Sequence, residues 1–549
     1  MSTPRRADAM GLSKRLAVSV LAFALLASAC SGSGEDPEAN PVEQAEQQEQ
    51  ETVAEIQQQV QSEQPAQSQG QESEEAEEPV EQTAGQQERA AIEQDEPETT
   101  EQQVADVTNG PFDPESVDLK QLIFWGPLDG FFGRYLPIPT AGQALLERML
   151  ASDSRAIDKY VIDLAAFPNP YWEQVLAYLA GRYGEEHRTI YEYADIFEFD
   201  PEDSATPSYL RFKQALFGSQ FEDMAEMMNP DEDIVIDARE IMWGGVRVDG
   251  IPPLEFPTQI FPEEAAEWIN DTDVVVGVEI DGDARAYPIR IIAWHEMVND
   301  TIGGVPVSLA YCTLCGSPIL FDGRVGPEVY RFGTSGLLYR SNKLMYDRNT
   351  RTLWNQFSGK PAWGPLVGED IRLKVLPVVV TTWSEWFARH PDTTVLSIET
   401  GFARDYGAGV AYNEYFNSPL TWFNVPVEDE RLAQKDNVYA VRIGEALTAY
   451  PIQLLAERMF ALDEVGGVPI VVVATADGKG GRSYESGGVQ FASADPAAGL
   501  LTDSDGGVWT IREDSLLGPD GEVLPRVGGH NAYWFAITNQ TDNGQLWEG

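Results

Sequence analysis

Cysteine is almost absent from this 549-residue chain, which holds only Cys30, Cys312 and Cys315. So few cannot form a stapling framework, so the Cys312/Cys315 pair is read as chemical rather than structural. Histidine is nearly as scarce, with four residues, and a soft-ligand site has few candidates. Basic residues are also sparse: 37 Lys and Arg stand against 89 Asp and Glu, a net charge of −52. That balance argues against nucleic acid and against anionic membrane surfaces as partners. Adaptation to salt and attraction of cationic ligands both fit it. Beyond the N-terminal apolar run, no stretch approaches the roughly 18 apolar residues of a membrane helix. There is no phosphate-binding P-loop and no Gly-x-Ser-x-Gly elbow, so serine hydrolase chemistry has no support. Carboxylates are too numerous to nominate a glycosidase pair.

What is present begins with an export signal over residues 1–30. Arg5, Arg6, Lys14 and Arg15 precede the apolar stretch from Leu16 to Ala29, which ends in Leu-Leu-Ala-Ser-Ala-Cys. Small residues before Cys30 look like a bacterial lipoprotein cleavage site, with Cys30 as the lipidated residue. The expected location is the extracytoplasmic face of a bacterial cell membrane, held by the lipid. Residues 31–108 are Glu, Gln, Ser, Ala and Pro. Between Ser31 and Gly110 there are 22 acidic residues and a single basic one, Arg89. Such a segment buries too little apolar surface to offset its ordering entropy, and a disordered acidic tether is expected.

Residues 109–233 are expected to form a helical domain, a small bundle. The segments 141–150, 171–180 and 212–228 carry apolar residues at three- and four-residue spacing, with prolines at helix starts. His187 lies in a charged, surface-like run. From 234 to 549 the texture changes to short Val/Ile-rich runs broken by Gly, Asp and Pro, the pattern of strands and turns. Ala286-Tyr-Pro-Ile289 recurs as Ala449-Tyr-Pro-Ile452, and Gly303-Gly-Val-Pro-Val307 recurs at the same offset as Gly466-Gly-Val-Pro-Ile470. Trp354 and Gly364-Pro365 are echoed by Trp509 and Gly518-Pro519, and Leu376-Pro377 with Trp386-Phe-Ala388 by Leu524-Pro525 with Trp534-Phe-Ala536. The expected fold class is α+β: a helical bundle followed by a duplicated β-rich, two-lobe domain, with repeats at about 275–390 and 438–537. The copies differ where chemistry is concerned. His295 corresponds to Arg458, Cys312 to Thr475 and Cys315 to Gly478.

The first copy carries Trp294-His-Glu-Met-Val-Asn-Asp300 and, after an apolar run, Cys312-Thr-Leu-Cys-Gly-Ser-Pro318. Gly316 after the second cysteine suits a knuckle-type turn, where positive φ lets backbone N–H groups face sulfur. A thioredoxin-like dithiol needs a helix N-terminus behind its first cysteine, which a strand–turn–strand frame does not offer. The expected site is therefore a soft metal, copper first and zinc next, on Cys312 and Cys315 with His295, His530 in Gly528-Gly-His-Asn-Ala-Tyr533 and, more weakly, Met345. The bland readings stand beside this one: a small-ring disulfide, a core histidine at 295, and a core methionine at 345. His390 resembles a helix C-terminal residue, where a cationic imidazole is favoured. Asp347, Arg348, Arg340 and Asn342 cluster after Phe332-Gly-Thr-Ser-Gly-Leu337, a weak phosphate signal shared with tight hairpins.

Together these motifs, with Leu344-Met-Tyr-Asp-Arg348 and Gly529-His-Asn-Ala-Tyr-Trp-Phe-Ala536, resemble the family of unknown function DUF3179 over roughly residues 240–540. The resemblance implies which residues to watch and supplies no reaction; Thr313 stands where the family commonly has proline. Three functions remain open from the sequence: metal handling or metal-dependent redox chemistry, with a metal donor or acceptor protein as partner; a metal-free thiol–disulfide oxidoreductase using Cys312 and Cys315; and an extracellular ligand-binding module with structural zinc. Nothing in the sequence decides between binding and catalysis.

Overall fold

The computed structural model describes residues 112–126, 135–167, 169–184, 206–423, 425–427, 429–541 and 544–549. The export signal with Cys30, the acidic segment and His187 lie outside the described residues. What is described is mixed helix and strand, helical first and β-rich from residue 241 onward. No helix among the described residues is long and apolar enough to cross a membrane.

Among the described residues, five α-helices come first: α1 (Thr140–Leu150), α2 (Asp158–Ala165), α3 (Trp172–Tyr183), α4 (Pro207–Gly218) and α5 (Glu222–Met227). Two of them show a clear local reason for where they start or stop. Pro207 sits in the first turn of α4 and the Thr206 side chain accepts from Tyr209 N–H, so an otherwise orphaned donor is satisfied. Gly184 closes α3 at a φ of 98°. The sequence pattern suggested one helix over 212–228, but the chain breaks between α4 and α5, where the Ser219 hydroxyl bonds back to Leu216 O at 2.6 Å. The helices bury Leu146, Met149, Val161, Leu179 and Phe217 in a core completed by Leu337, Leu344 and Trp363 of the β region.

The β region uses one succession of ladders twice. In the first, β1 (Val274–Ile280) and β2 (Asp283–Pro288) are antiparallel, and α6 (Ile289–Ile292) leads into the meander β3 (Met297–Ile302), β4 (Val305–Cys312) and β5 (Ser317–Asp322). Then come β6 (Phe332–Tyr339), β7 (Asn342–Asp347) and β8 (Leu353–Asn355). The chain returns as β9 (Val379–Thr382), antiparallel to β1, continues as α7 (Trp383–Arg389), and adds β10 (Thr394–Leu396) parallel to β2. After the short helix α8 (Asn413–Phe416) the order recurs. β11 (Asn437–Ile443) pairs with β12 (Ala446–Pro451), α9 (Ile452–Arg458) follows, and β13 (Phe460–Val465), β14 (Val468–Ala474) and β15 (Gly481–Glu485) form the meander. Finally β16 (Gly529–Tyr533) lies antiparallel on β11, α10 (Trp534–Gln540) follows, and β17 (Gly544–Leu546) lies parallel on β12.

The repeated Gly-Gly pairs have a physical cause. Gly303 and Gly304 take φ of 54° and 77° in the β3–β4 hairpin, and Gly466 and Gly467 take 57° and 81° in β13–β14. A two-residue turn with both φ positive matches the twist of the strands it joins. A Cβ on Gly303 would also lie 2.3 Å from Ile280 O, and one on Gly466 would lie 2.7 Å from Ile443 O. The core that holds β3–β5 also takes in Val438, Ala440, Ala449 and Trp534 of the second succession. The cysteines lie inside that shared core.

Candidate functional site: a buried thiol pair

Cys312 ends β4 and Ser317, paired with it, begins β5, so the intervening residues form a tight hairpin. Cys315 N–H donates to Cys312 O at 3.2 Å, and Gly316 has a φ of 59°. The base of the hairpin is clamped by Gln356, whose Nε2 donates to Ala310 O and Ser317 O, each at 3.2 Å. Both cysteines are free and buried, at 1% and 0% exposure. Both thiols converge on one acceptor, Ser341 O. Burial pushes the Cys315 thiol well above the usual range, and the neighbouring Cys312 adds to it.

The thiols face a second hairpin tip. Cys315 Sγ lies 3.4 Å from Ser341 O and 3.4 Å from Asn342 Oδ1, while Cys312 Sγ lies 4.0 Å from Ser341 O. Arg340 and Ser341, which join β6 to β7, have φ of 49° and 63°. Two successive left-handed non-glycine residues are strained, and surrounding structure has to hold them. Here Arg340 Nε donates to Glu240 at 2.7 Å, and Gln540 Nε2 donates to Tyr339 O at 2.9 Å.

Beside the thiols is a buried ion pair. Lys343 Nζ donates to Glu296 O at 2.7 Å and lies 3.6 Å from the Glu296 carboxylate. Burial raises the Glu296 carboxyl against the opposing pull of Lys343 and of hydrogen bonds from Thr313. Burial likewise lowers the Lys343 ammonium, with Glu296 and then Cys312 acting the other way. Four tyrosines complete the surroundings. The phenols of Tyr311, Tyr412, Tyr415 and Tyr533 are raised by burial and, after it, by neighbours that include one or both cysteines.

The histidines are placed differently from the sequence expectation. His295 has both ring nitrogens engaged, Nδ1 with Pro252 O at 2.7 Å and Nε2 with Tyr406 Oη at 2.6 Å. A carbonyl only accepts, so Nδ1 carries the proton and Nε2 accepts from the tyrosine. Burial holds this imidazole down to about 4 and keeps it neutral. His530 bonds through Nδ1 to Asn531 O at 3.0 Å and packs edge-on against Phe357. It too is lowered by burial to about 4. Strand alternation puts His530 and Tyr533 on opposite faces of β16. It is Tyr533 that meets the thiol hairpin, donating its N–H to Cys315 O at 2.8 Å. The far end of the chain therefore reaches the site with a tyrosine rather than an imidazole. Met345, fully buried between Thr334 and Trp354, is a core residue. The expected Cys2His or Cys2His2 set is not assembled: among the described residues, no three or more His, Cys, Asp or Glu side chains are grouped to hold a metal ion.

The family model for "Protein of unknown function (DUF3179)" matches residues 248–543. The chain belongs to this family. No curated protein and no solved structure matches it. Within this DUF3179 chain the second ladder succession serves as an internal reference for the first. Thr475 and Gly478 stand at the offset of Cys312 and Cys315, and Gly478 N–H donates to Thr475 O at 3.0 Å, as Cys315 does to Cys312. The left-handed residue shifts by one position, from Gly316 to Gly478 at a φ of 67°. Met459 replaces Glu296 and keeps its positive φ, 69° against 55°. Asp347 accepts from Trp354 Nε1 at 2.9 Å, and Asp503 accepts from Trp509 Nε1 at 2.8 Å. Aligned on the two aspartates, Lys343 meets Gly499. The backbone is common to both, and the thiols, the carboxylate and the ammonium belong to the first alone. Glu296 and Lys343 were not singled out from sequence; comparing the copies position by position was the signal that could have found them.

Proposed function

We propose that this DUF3179 protein is an exported, lipid-anchored protein that takes up one soft cation, copper(I) before zinc, on the thiolates of Cys312 and Cys315. The observation that carries the reading is the pair of free, buried thiols converging on Ser341 O, in a hairpin whose counterpart closes without sulfur. Thiolates select copper(I) among the biological cations. Copper(I) is content with two sulfur ligands, whereas structural zinc asks for four donors, so a two-thiol site ranks copper first. Binding would release two protons and leave an anionic complex inside the protein, and the ammonium of Lys343 supplies a compensating charge. The lipid on Cys30 and the acidic tether would hold the folded part at the outer face of the membrane, where a metal donor or acceptor protein could reach it.

The test is elemental analysis after anaerobic purification and copper(I) loading against a competing chelator. One equivalent of copper in the wild type, lost in both Cys312→Ser and Cys315→Ser, is the expected result. Retention of copper by either variant would end the proposal. Two free thiols on one hairpin also suit a disulfide, so the metal-free oxidoreductase is the second reading. Burial and the raised Cys315 thiol make a poor attacking nucleophile. That reading requires a reversible two-electron titration and disulfide exchange with a protein substrate, both without metal.

A further inference from the structure

The thiols are sealed by the segment that joins the two ladder successions. Residues 397–423 follow β10 with a single short helix, α8, and long stretches of this kind are characteristically functional lids. Three tyrosines tie the segment down over the site. Tyr415 Oη donates to Leu314 O at 2.6 Å, inside the thiol hairpin itself. Tyr406 Oη bonds to His295 Nε2 at 2.6 Å and to Thr400 Oγ1 at 2.6 Å. Tyr412 is buried beside Cys312 and Glu296. The indole of Trp294 adds a bond to Asp405 O at 2.8 Å. The ties to Leu314, His295 and Trp294 span more than a hundred residues of sequence, yet parts of the segment are exposed, with Phe402 at 42% and Leu420 at 69%. Gly401 and Gly409, either side of Tyr406, have φ of 85° and 71°, and no heavy atom comes closer than 3.6 Å to a Cβ built on either.

We propose that residues 397–423 are a lid latched by the Tyr415–Leu314 and Tyr406–His295 hydrogen bonds, and that Cys312 and Cys315 become accessible only when it lifts. His295 is then a latch partner and a positioning residue rather than a ligand. The proposal takes the thiol pair as the reactive group of the proposed function. Its test uses metal-free protein, so the lid and the metal reading fail separately.

The test is the rate at which iodoacetamide alkylates Cys312 and Cys315 in the reduced, metal-free full chain, followed by mass spectrometry of the peptide that holds them. Rates are read across a urea series below the unfolding transition. Wild-type alkylation is expected to be nearly independent of urea, because a local opening exposes little surface. Tyr415→Phe and Tyr406→Phe each remove one latch bond and are expected to speed alkylation about tenfold while the rate stays nearly independent of urea. An alkylation rate that climbs with urea on the slope of global unfolding would overturn the lid. So would Tyr415→Phe and Tyr406→Phe variants that alkylate no faster than the wild type. The urea dependence of the wild type decides the matter even if a variant fails to fold.

Discussion

Lys343 and Glu296 show how a single buried pair can mark a site. Both are nearly inaccessible, with side-chain exposures of 5% and 10%. Such a pair is expensive to desolvate and is a weak source of stability, so its retention in one copy alone points to a use. Removing one partner strands the other. Lys343→Met is therefore expected to lower the unfolding free energy by about 3–5 kcal/mol, and a Lys343→Met/Glu296→Leu double variant to recover part of that loss. Urea denaturation of the four proteins forms the cycle that checks it. Recovery in the double variant together with weakened copper binding would separate the pair's chemical use from its contribution to folding.

At the scale of elements, the Gly-Gly hairpins offer a test in which neighbouring positions differ. Gly303 needs both its left-handed φ and the absence of a Cβ, because Ile280 O occupies the space. Gly304 needs only the φ, since nothing lies within 4 Å of its would-be Cβ. Gly304→Ala is expected to cost about 1 kcal/mol, the ordinary penalty of a left-handed alanine. Gly303→Ala adds a clash with backbone that cannot rotate away, and is expected to cost at least about 2 kcal/mol more. Equal denaturation midpoints for the two variants would contradict this account of the hairpin.

At the scale of the whole molecule, the two successions are joined by a buried charge cluster. Glu513 accepts from Arg482 Nε at 2.9 Å and from Arg526 Nη1 at 2.8 Å. Arg389 and His390, at the end of α7 in the first succession, approach the same carboxylate at 3.5 and 3.6 Å. Burial alone would raise the Glu513 carboxyl, but the surrounding guanidinium groups and the nearby His390 outweigh it and hold it well below the ordinary range. The folded form therefore binds this proton less readily than the unfolded chain. The stabilisation is complete above the unfolded value of about 4.3 and is lost as pH falls towards the depressed folded value. Urea midpoints measured from pH 6 to 3 are expected to fall steeply below about pH 4 in the wild type. Glu513→Gln is expected to start about 3 kcal/mol lower at neutral pH and to fall less steeply.

Composition and local pattern were enough to divide this chain into a helical part and a β-rich part, because helix and strand periods are written in neighbouring residues. The repeated motifs at one offset announced two ladder successions, since Gly-Gly turns and Ala-Tyr-Pro strand ends are local necessities of the backbone. The adjacency of Cys312 and Cys315 was equally legible: two residues of spacing and a left-handed Gly316 bring the sulfurs together whatever surrounds them. What faces those sulfurs was not legible. Lys343, Glu296, Tyr415 and Tyr533 reach the site through strand pairing and a lid whose partners lie far away in sequence. Equally invisible in the sequence were the hydrogen bonds that His295 makes to Pro252 and Tyr406 and that His530 makes to Asn531. Local order follows from nearest neighbours, whereas the surroundings of a buried group are set only when distant segments pack.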